Sequence, residues 1–398
     1  MIIKGADILT PQGIIESGII EIKDGIITRI SPPECGCEGA GRTCGCVDEH
    51  SVIDATGLTV VPGFIDIHAH GGGGCDIEDG NFESLEKMCI THAAHGTTGI
   101  LPATTSPPRG LLLEVAGLFR SYTGRPTSRG AEVLGIHLEG PWLNPKMKGA
   151  QPLSGIRRPS IDELDRLIDA SSGNIRMVTL APEMPGALDL IRHAKDSGLI
   201  VSLGHSSGTY DQVLAAVDKG ATHITHAYNA MSGLHHRNPG MVGAMLSCDR
   251  LTVDVILDGF HIHRAAAKIL LKCKGKDNVA LITDATMAAG MPEGEYELGG
   301  QKVIHKDGAV RLPDGTLAGS ALTMDKAVRY LVLELGCSLS DAVKMASQTP
   351  ARILGLDKKK GSVEVGKDAD LVLLDKDLQV KATFVCGDPV YVQEGVLR

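Results

Sequence analysis

Two histidines separated by one residue, in Asp66-Ile-His68-Ala-His70, end an apolar run and are followed by Gly71-Gly-Gly-Gly74. Residues two apart share a face of an extended chain, so His68 and His70 form a two-pronged clip for a metal ion. The glycines after them leave room for a ligand to approach the backbone. Other apolar runs end in the same manner: His137-Leu-Glu139-Gly-Pro, Gly204-His205-Ser-Ser, Thr225-His226-Ala-Tyr-Asn229 and Thr283-Asp284-Ala-Thr. A lone histidine at such a place is ordinarily a hydrogen-bonded core residue. Glu139, His205, His226, Asp284 and the clip together offer imidazoles and carboxylates, a donor set for one or two divalent transition metals. Zn²⁺ suits it first, with Fe, Mn or Co as alternatives.

Those side chains can meet only if a fold gathers the ends of their strands. Between residues 60 and 355, apolar runs alternate with amphipathic helical stretches, the pattern of a parallel sheet covered by helices. The strand candidates are Val60–His68, Thr98–Ala103, Val133–Leu138, Met177–Ala181, Ile200–Gly204, His223–Ala227, Thr252–Leu257 and Val279–Thr283. Eight such strands, with no GxGxxG after the first, favour an α/β fold of the (β/α)8 TIM-like barrel type over an open doubly wound sheet. A barrel builds its active site at the C-terminal ends of its strands, which is where these histidines and carboxylates fall. Ser160-Ile-Asp-Glu163 reads as a capping box, and Asn81 as the cap of a helix ending near His95-Gly96. Glycines and Asp-Gly pairs between Ala285 and Ser320 predict an inserted hairpin or lid over the last strand. The other histidines read as structural: His92, His95 and His193 on helices, His50 and His305 in loops, His223 on the face of its strand opposite His226. His235, His236 and His263 read as polar loop residues.

The ends of the chain have a different texture. From Met1 to about Thr59, and again after residue 355, short β-type runs such as Gly25–Ile30, Ala369–Leu374 and Ala382–Val385 are separated by turn signals. The expectation is a small β-sandwich domain sewn from residues 1–59 and 356–398, around a barrel at 60–355. With 398 residues, 43% hydrophobic and 22% charged, the chain can bury a large core, which excludes disordered and fibrous classes. A net charge of −9 without a basic block, and an aromatic content of 3%, speak against nucleic acid or an anionic membrane as partners.

Met1–Thr10 lacks the apolar core of a signal peptide, and no apolar run approaches about 18 residues, so a cytoplasmic protein is expected. Cys75, Cys89, Cys248, Cys273, Cys337 and Cys386 are scattered singly, as thiols in a reducing compartment are. Cys35-Gly-Cys37 and Cys44-Gly-Cys46 lie together in a glycine-rich insertion at 34–48. They suit a structural zinc or iron site, although their spacing departs from C-x2–4-C, or a loop with reversible disulfides. The sequence leaves both open.

Pro62-Gly-Phe-Ile-Asp-Ile-His-Ala-His70, Gly204-His-Ser206, Thr283-Asp-Ala285 and Gly361-Ser-Val-Glu-Val-Gly-Lys-Asp-Ala-Asp-Leu371 resemble the amidohydrolase superfamily. Within it, His137-Leu-Glu-Gly-Pro141, Leu180-Ala-Pro-Glu183, Thr225-His-Ala-Tyr-Asn-Ala-Met231 and Gly319-Ser-Ala-Leu-Thr-Met324 are similar to the branch that deacetylates amino-sugar 6-phosphates. The resemblance covers essentially the whole chain. It implies release of acetate from N-acetyl-D-glucosamine 6-phosphate, with the galacto epimer as the alternative substrate. A catalytically silent scaffold is the rival from another class, and intact Glu139, His205, His226 and Asp284 argue against it.

The same resemblance implies that Glu139, His205 and His226 hold the main metal and that Asp284 is the acid/base. Relatives differ at the His-x-His pair, some lacking both histidines and using one metal. Its presence here implies a second position at His68, His70 and Asp284, with Glu139 bridging in place of the carboxylated lysine of other superfamily members. For the phosphate the resemblance implies Arg237, His261, Asn229 and Ala230, with some contacts from a neighbouring subunit and hence a homodimer. It assigns the sugar and acetyl group to Ala150 and Gln151, the latter able to donate but not to titrate. Leu317, Ala318 and Gly319 are implied to line the substrate from the late insertion.

Overall fold

A computed structural model describes residues 1–33, 52–120 and 129–396. Eight parallel strands form a ring: β1 (Phe64–Ala69), β2 (Thr97–Thr104), β3 (Ile136–Glu139), β4 (Ile175–Leu180), β5 (Ile200–Leu203), β6 (His223–Ile224), β7 (Thr252–Ile256) and β8 (Val279–Ile282). Each pairs with the next. The ring is closed by a parallel bridge between Ala69 and Ala285 and by Asp284 N–H donating to His68 O at 2.9 Å. Every residue of β1 and β2 is buried, because strands covered on both faces need apolar side chains on both.

Helices between the strands present one apolar stripe inward: Leu85, Met88 and Cys89 from α1 (Phe82–Ala93), Leu164 and Leu167 from α2 (Ile161–Ala170), Leu190, Ile191 and Ala194 from α3 (Ala187–Asp196). Asn81 caps α1 by accepting from Ser84 N–H at 2.9 Å. The expected capping box at Ser160 is only half formed. Ser160 accepts from Glu163 N–H at 3.3 Å, but the Glu163 carboxylate turns to Arg157 and Arg109. Two guanidinium partners outcompete a single backbone N–H.

Strands from both ends of the chain meet in one eight-stranded sheet. The seam is antiparallel, Thr59–Pro62 against Leu371–Leu374. This sheet has its own core, with Ile3, Ile8, Ile20, Ile27, Val60, Leu371, Leu373 and Phe384 fully buried. The run read from sequence as one strand, Val60–His68, is therefore two. Thr59–Pro62 belongs to the terminal sheet, and β1 to the barrel. Gly63 makes the change possible, since a Cβ there would lie 2.1 Å from Thr98 Oγ1.

Lys360 fastens the two sheets together. Its ammonium is buried, 2.6 Å from Glu132, 2.7 Å from Asp370 and 3.0 Å from Asp368. Burial opposes the charge, but the carboxylates of Asp370 and Glu132 more than offset that and raise its pKa.

The late insertion is a three-stranded antiparallel hairpin unit, Gly294–Leu298, Gln301–Lys306 and Ala309–Arg311. His305 lies on its middle strand, not in a loop. No helix among the described residues is long and apolar enough to cross a membrane. Cys35, Cys37, Cys44 and Cys46 lie outside the described residues.

Candidate active site

The chain turns sharply where it leaves the barrel. His205, His226 and Asp284 all adopt left-handed backbone conformations, with φ of 45°, 34° and 48°. Non-glycine residues pay for such angles in steric strain, and they persist only where neighbouring bonds hold them. Here those bonds are present. Asn144 N–H donates to His205 O at 3.0 Å, His226 N–H donates to the Asp254 carboxylate, and Asp284 N–H donates to His68 O.

Six side chains from five strand ends converge over the barrel mouth. Glu139 Oε1 lies 2.9 Å from His226 Nε2 and 3.1 Å from His205 Nε2. Its other oxygen, Oε2, lies 3.5 Å from His70 Nε2, and Oε1 is 3.6 Å from His68 Nε2. Asp284 Oδ1 is 3.2 Å from His70 Nε2 and 3.7 Å from His68 Nε2. The ligand atoms of His68, His70 and Asp284 form one group within 4.8 Å of one another, and those of Glu139, His205 and His226 a second.

The residues fit a divalent metal. His70 Nδ1 donates to Ala103 O at 2.8 Å and His205 Nδ1 to Met147 O at 2.9 Å, since a carbonyl can only accept. That fixes each Nε2 as the lone-pair atom facing the centre. His68 is fully buried with neither ring nitrogen hydrogen-bonded, a cost that coordination of Nε2 would remove.

Charge is balanced tightly. Burial raises the Glu139 pKa, but the imidazoles of His68 and His205 outweigh it and hold the carboxyl well below its ordinary range. Burial also raises Asp284, and His70 and His68 bring it below normal. Burial disfavours the His226 imidazolium, yet its bond to Glu139 carries the pKa up to about 9. Both carboxylates are thus ionised at neutral pH.

Three supporting carboxylates escaped the sequence reading. Asp254 holds His226 N–H and receives His223 Nε2 at 3.0 Å, so His223 steadies the site from beneath. Asp66 receives His68 N–H at 3.2 Å and Thr283 Oγ1 at 2.5 Å, and burial pushes its carboxyl up to about 6. Glu183 gathers Asn144 Nδ2 at 2.7 Å, Ser206 Oγ at 2.6 Å and Ser207 N–H at 2.7 Å, tying together the loops after β3 and β5. The polar-residue signal was in the sequence for Glu183, at the end of β4, but nothing local reveals its partners.

A cavity of about 340 Å³ opens onto His70, Glu139, His205, His226 and Asp284, with His68 fully buried behind them. Ala150, Gln151, Asn229, Ala230 and His261 line its walls, and Leu317 and Gly319 reach it from the late insertion. Asp258 receives His261 Nδ1 at 2.6 Å, which leaves Nε2 for a ligand. Two expected site residues lie elsewhere. Ala318 is buried in the core of the insertion with Leu298 and Val303, because its neighbours alternate toward the cavity. Arg237 is exposed on the loop after β6, outside the cavity, with Nη1 2.8 Å from His236 Nε2. Lys146 and Thr105 line the cavity and were not singled out from sequence.

Comparison with known proteins agrees with this geometry. Residues 59–390 match the amidohydrolase family. The N-acetylgalactosamine-6-phosphate deacetylase of Escherichia coli O157:H7 is 40% identical over 390 residues, 97% of this chain and 98% of that one. The N-acetylglucosamine-6-phosphate deacetylase of Bacillus subtilis (strain 168) is 38% identical over 399 residues, covering 99% and 98%. A mutant N-acetyl-D-glucosamine-6-phosphate deacetylase of Mycobacterium smegmatis, solved with N-acetyl-D-glucosamine-6-phosphate, aligns with a TM-score of 0.89 at 34% identity over 99% of each chain. With a ring of eight strands, paired metal-ligand groups at its mouth and relatives alike from end to end, the chain belongs to the amidohydrolase family.

Proposed function

We propose that this enzyme hydrolyses N-acetyl-D-glucosamine 6-phosphate to D-glucosamine 6-phosphate and acetate. The observation that carries the reading is the convergence of Glu139, His205, His226, His68, His70 and Asp284 beneath a cavity of about 340 Å³, in a chain whose relatives deacetylate amino-sugar phosphates. The 40% identity to a galactosamine-6-phosphate enzyme supports the galacto epimer as a second substrate. One hydroxyl distinguishes the two.

We assign the main metal to Glu139, His205 and His226, and a second position to His68, His70 and Asp284. Imidazole and carboxylate donors suit Zn²⁺, with Fe²⁺, Mn²⁺ or Co²⁺ as alternatives. A divalent ion there supplies Lewis acidity, polarising the acetamide carbonyl and acidifying water. Asp284, ionised at neutral pH, accepts the proton of the attacking water and returns it to the sugar nitrogen as the C–N bond breaks. Gln151 Nε2 donates to the acetyl oxygen, and Ala150 and Leu317 bound the sugar. His261, the Asn229 side-chain amide and the Ala230 backbone N–H receive the phosphate, with Arg237 supplied by the neighbouring subunit of a homodimer. Gly319 shapes the wall on the side of the insertion, and Ala318 packs behind it in the insertion's core. Cytoplasmic amino-sugar recycling is the setting that this chemistry suits.

The test is acetate release across a panel of N-acetylated amino-sugar 6-phosphates, with bound metal counted in parallel. Fastest turnover of the gluco compound is expected, and no release from any member defeats the reading.

A further inference from the structure

The two oxygens of Glu139 have different neighbours. Oε1 lies between His205 Nε2 and His226 Nε2, with His68 Nε2 farther off at 3.6 Å. Oε2 faces His70 Nε2 at 3.5 Å, and it is already engaged by Gln151 Nε2. Chemistry fixes the orientation of that amide, since the reverse would set a carbonyl oxygen against a carboxylate. Gln151 is 4% exposed, and its own Oε1 is buried without a partner.

An N–H directed at Oε2 presents the positive end of its dipole to any cation that approaches the same oxygen from His70. It also withdraws negative charge from that oxygen. An ion held by His68, His70 and Asp284 would therefore draw less from Glu139 Oε2 for as long as Gln151 donates to it. An ion held by His205, His226 and Glu139 would lie beside Oε1, which takes no bond from Gln151.

We infer that Gln151 is a positioning residue that sets the affinity of the second ion position, holding it weaker than the first through its hydrogen bond to Glu139 Oε2. The inference rests on the metal-dependent reading above. It adds a coupling to it. A substrate acetyl group that draws Gln151 Nε2 away from Glu139 strengthens the second position, and by reciprocity an ion there frees Gln151 for the substrate.

The experiment is a Zn²⁺ titration of full-length metal-free wild type, Q151A and Q151L, read by calorimetry and by metal analysis after removal of free ion. Q151L fills the space that Q151A empties, so a cavity effect is separated from loss of the donor. In both variants the second dissociation constant is expected to fall about tenfold, as loss of a hydrogen bond to a charged group allows, while the first stays unchanged. Equal second constants in wild type and both variants, or a shift shared by both positions, overturns the inference. So does a single ion in all three proteins, because Gln151 is then not what limits the second position. Absence of acetate release by metal-loaded wild type defeats the functional reading instead, and is scored separately from the ion counts.

Discussion

The Nε2 atoms of His205 and His226 face one another 3.1 Å apart, with Glu139 Oε1 within 3.1 Å of both. Met147 O takes the proton-bearing nitrogen of His205, so its Nε2 brings a lone pair to this contact. A proton or a cation placed among the three atoms makes that arrangement favourable, and His226, whose pKa rises to about 9, can supply the proton. An ion that binds the folded cluster and not the unfolded chain adds stability beyond this, so metal removal should lower stability as well as stop turnover. Chelator treatment is expected to lower Tm, and Zn²⁺ at a hundred times its dissociation constant to restore about 2.7 kcal/mol. A Tm indifferent to chelation would show that the cluster holds no ion.

Asp284→Asn keeps the shape of the side chain and removes the base. A kcat reduced by about 10²- to 10⁴-fold is expected, with one equivalent of metal retained by Glu139, His205 and His226. Metal analysis and steady-state kinetics check it, and turnover like that of wild type would remove Asp284 from its role.

Arg237 stands outside the cavity of its own chain. If it serves a neighbour's phosphate pocket, hybrids of Arg237→Ala and Asp284→Asn subunits contain one site with both residues intact. Mixing the two weakly active proteins and letting subunits exchange should recover about a quarter of wild-type activity at low substrate, since about half of the dimers are then hybrids and each hybrid holds one intact site of two. Without recovery, Arg237 does not act across an interface. Arg237→Ala alone should raise KM for phosphorylated substrates and leave the nonphosphorylated sugar unaffected.

Glu163 is buried against Arg157 at 2.7 Å and Arg109 at 3.0 Å. Burial raises its pKa, but the guanidinium groups outweigh this and hold it below the ordinary value. A carboxyl depressed in the folded state adds stability that is complete above its unfolded pKa of about 4.3. That contribution is lost as pH falls through the lower folded value. Glu163→Gln should consequently have a lower Tm than wild type near neutrality, and the gap should close as the solution is acidified below about pH 4. A gap independent of pH down to acid unfolding would contradict this account.

The barrel was legible because strands buried on both faces are written as unbroken apolar runs, and five of the eight runs end in a histidine or carboxylate too polar for a core. Gly63 hid one misreading: a strand of the terminal sheet and β1 are both apolar, and nothing local separates them. The run Val133–Leu138 is likewise two strands, Glu132–Val133 and Ile136–Glu139. Supporting carboxylates were illegible for a different reason. Asp66 meets Thr283, which lies 217 positions away, and Asp254 meets His226 only after the ring has closed. Their meaning depends on closure, which no window of sequence contains. Glu163 shows the same limit in small, since its capping pattern gave no sign of the two arginines that claim it.

The seam between Thr59–Pro62 and Leu371–Leu374 also sets an order of events during synthesis. The first partner leaves the ribosome about 310 residues before the second, which at 5–20 residues per second is a wait of roughly a quarter of a minute to a minute. Throughout that time Thr59–Pro62 is an open, apolar strand edge, able to pair with another nascent chain. All eight barrel strands are made before this clasp arrives, and Leu371–Leu374 then cover the edge that Thr59–Pro62 leaves open.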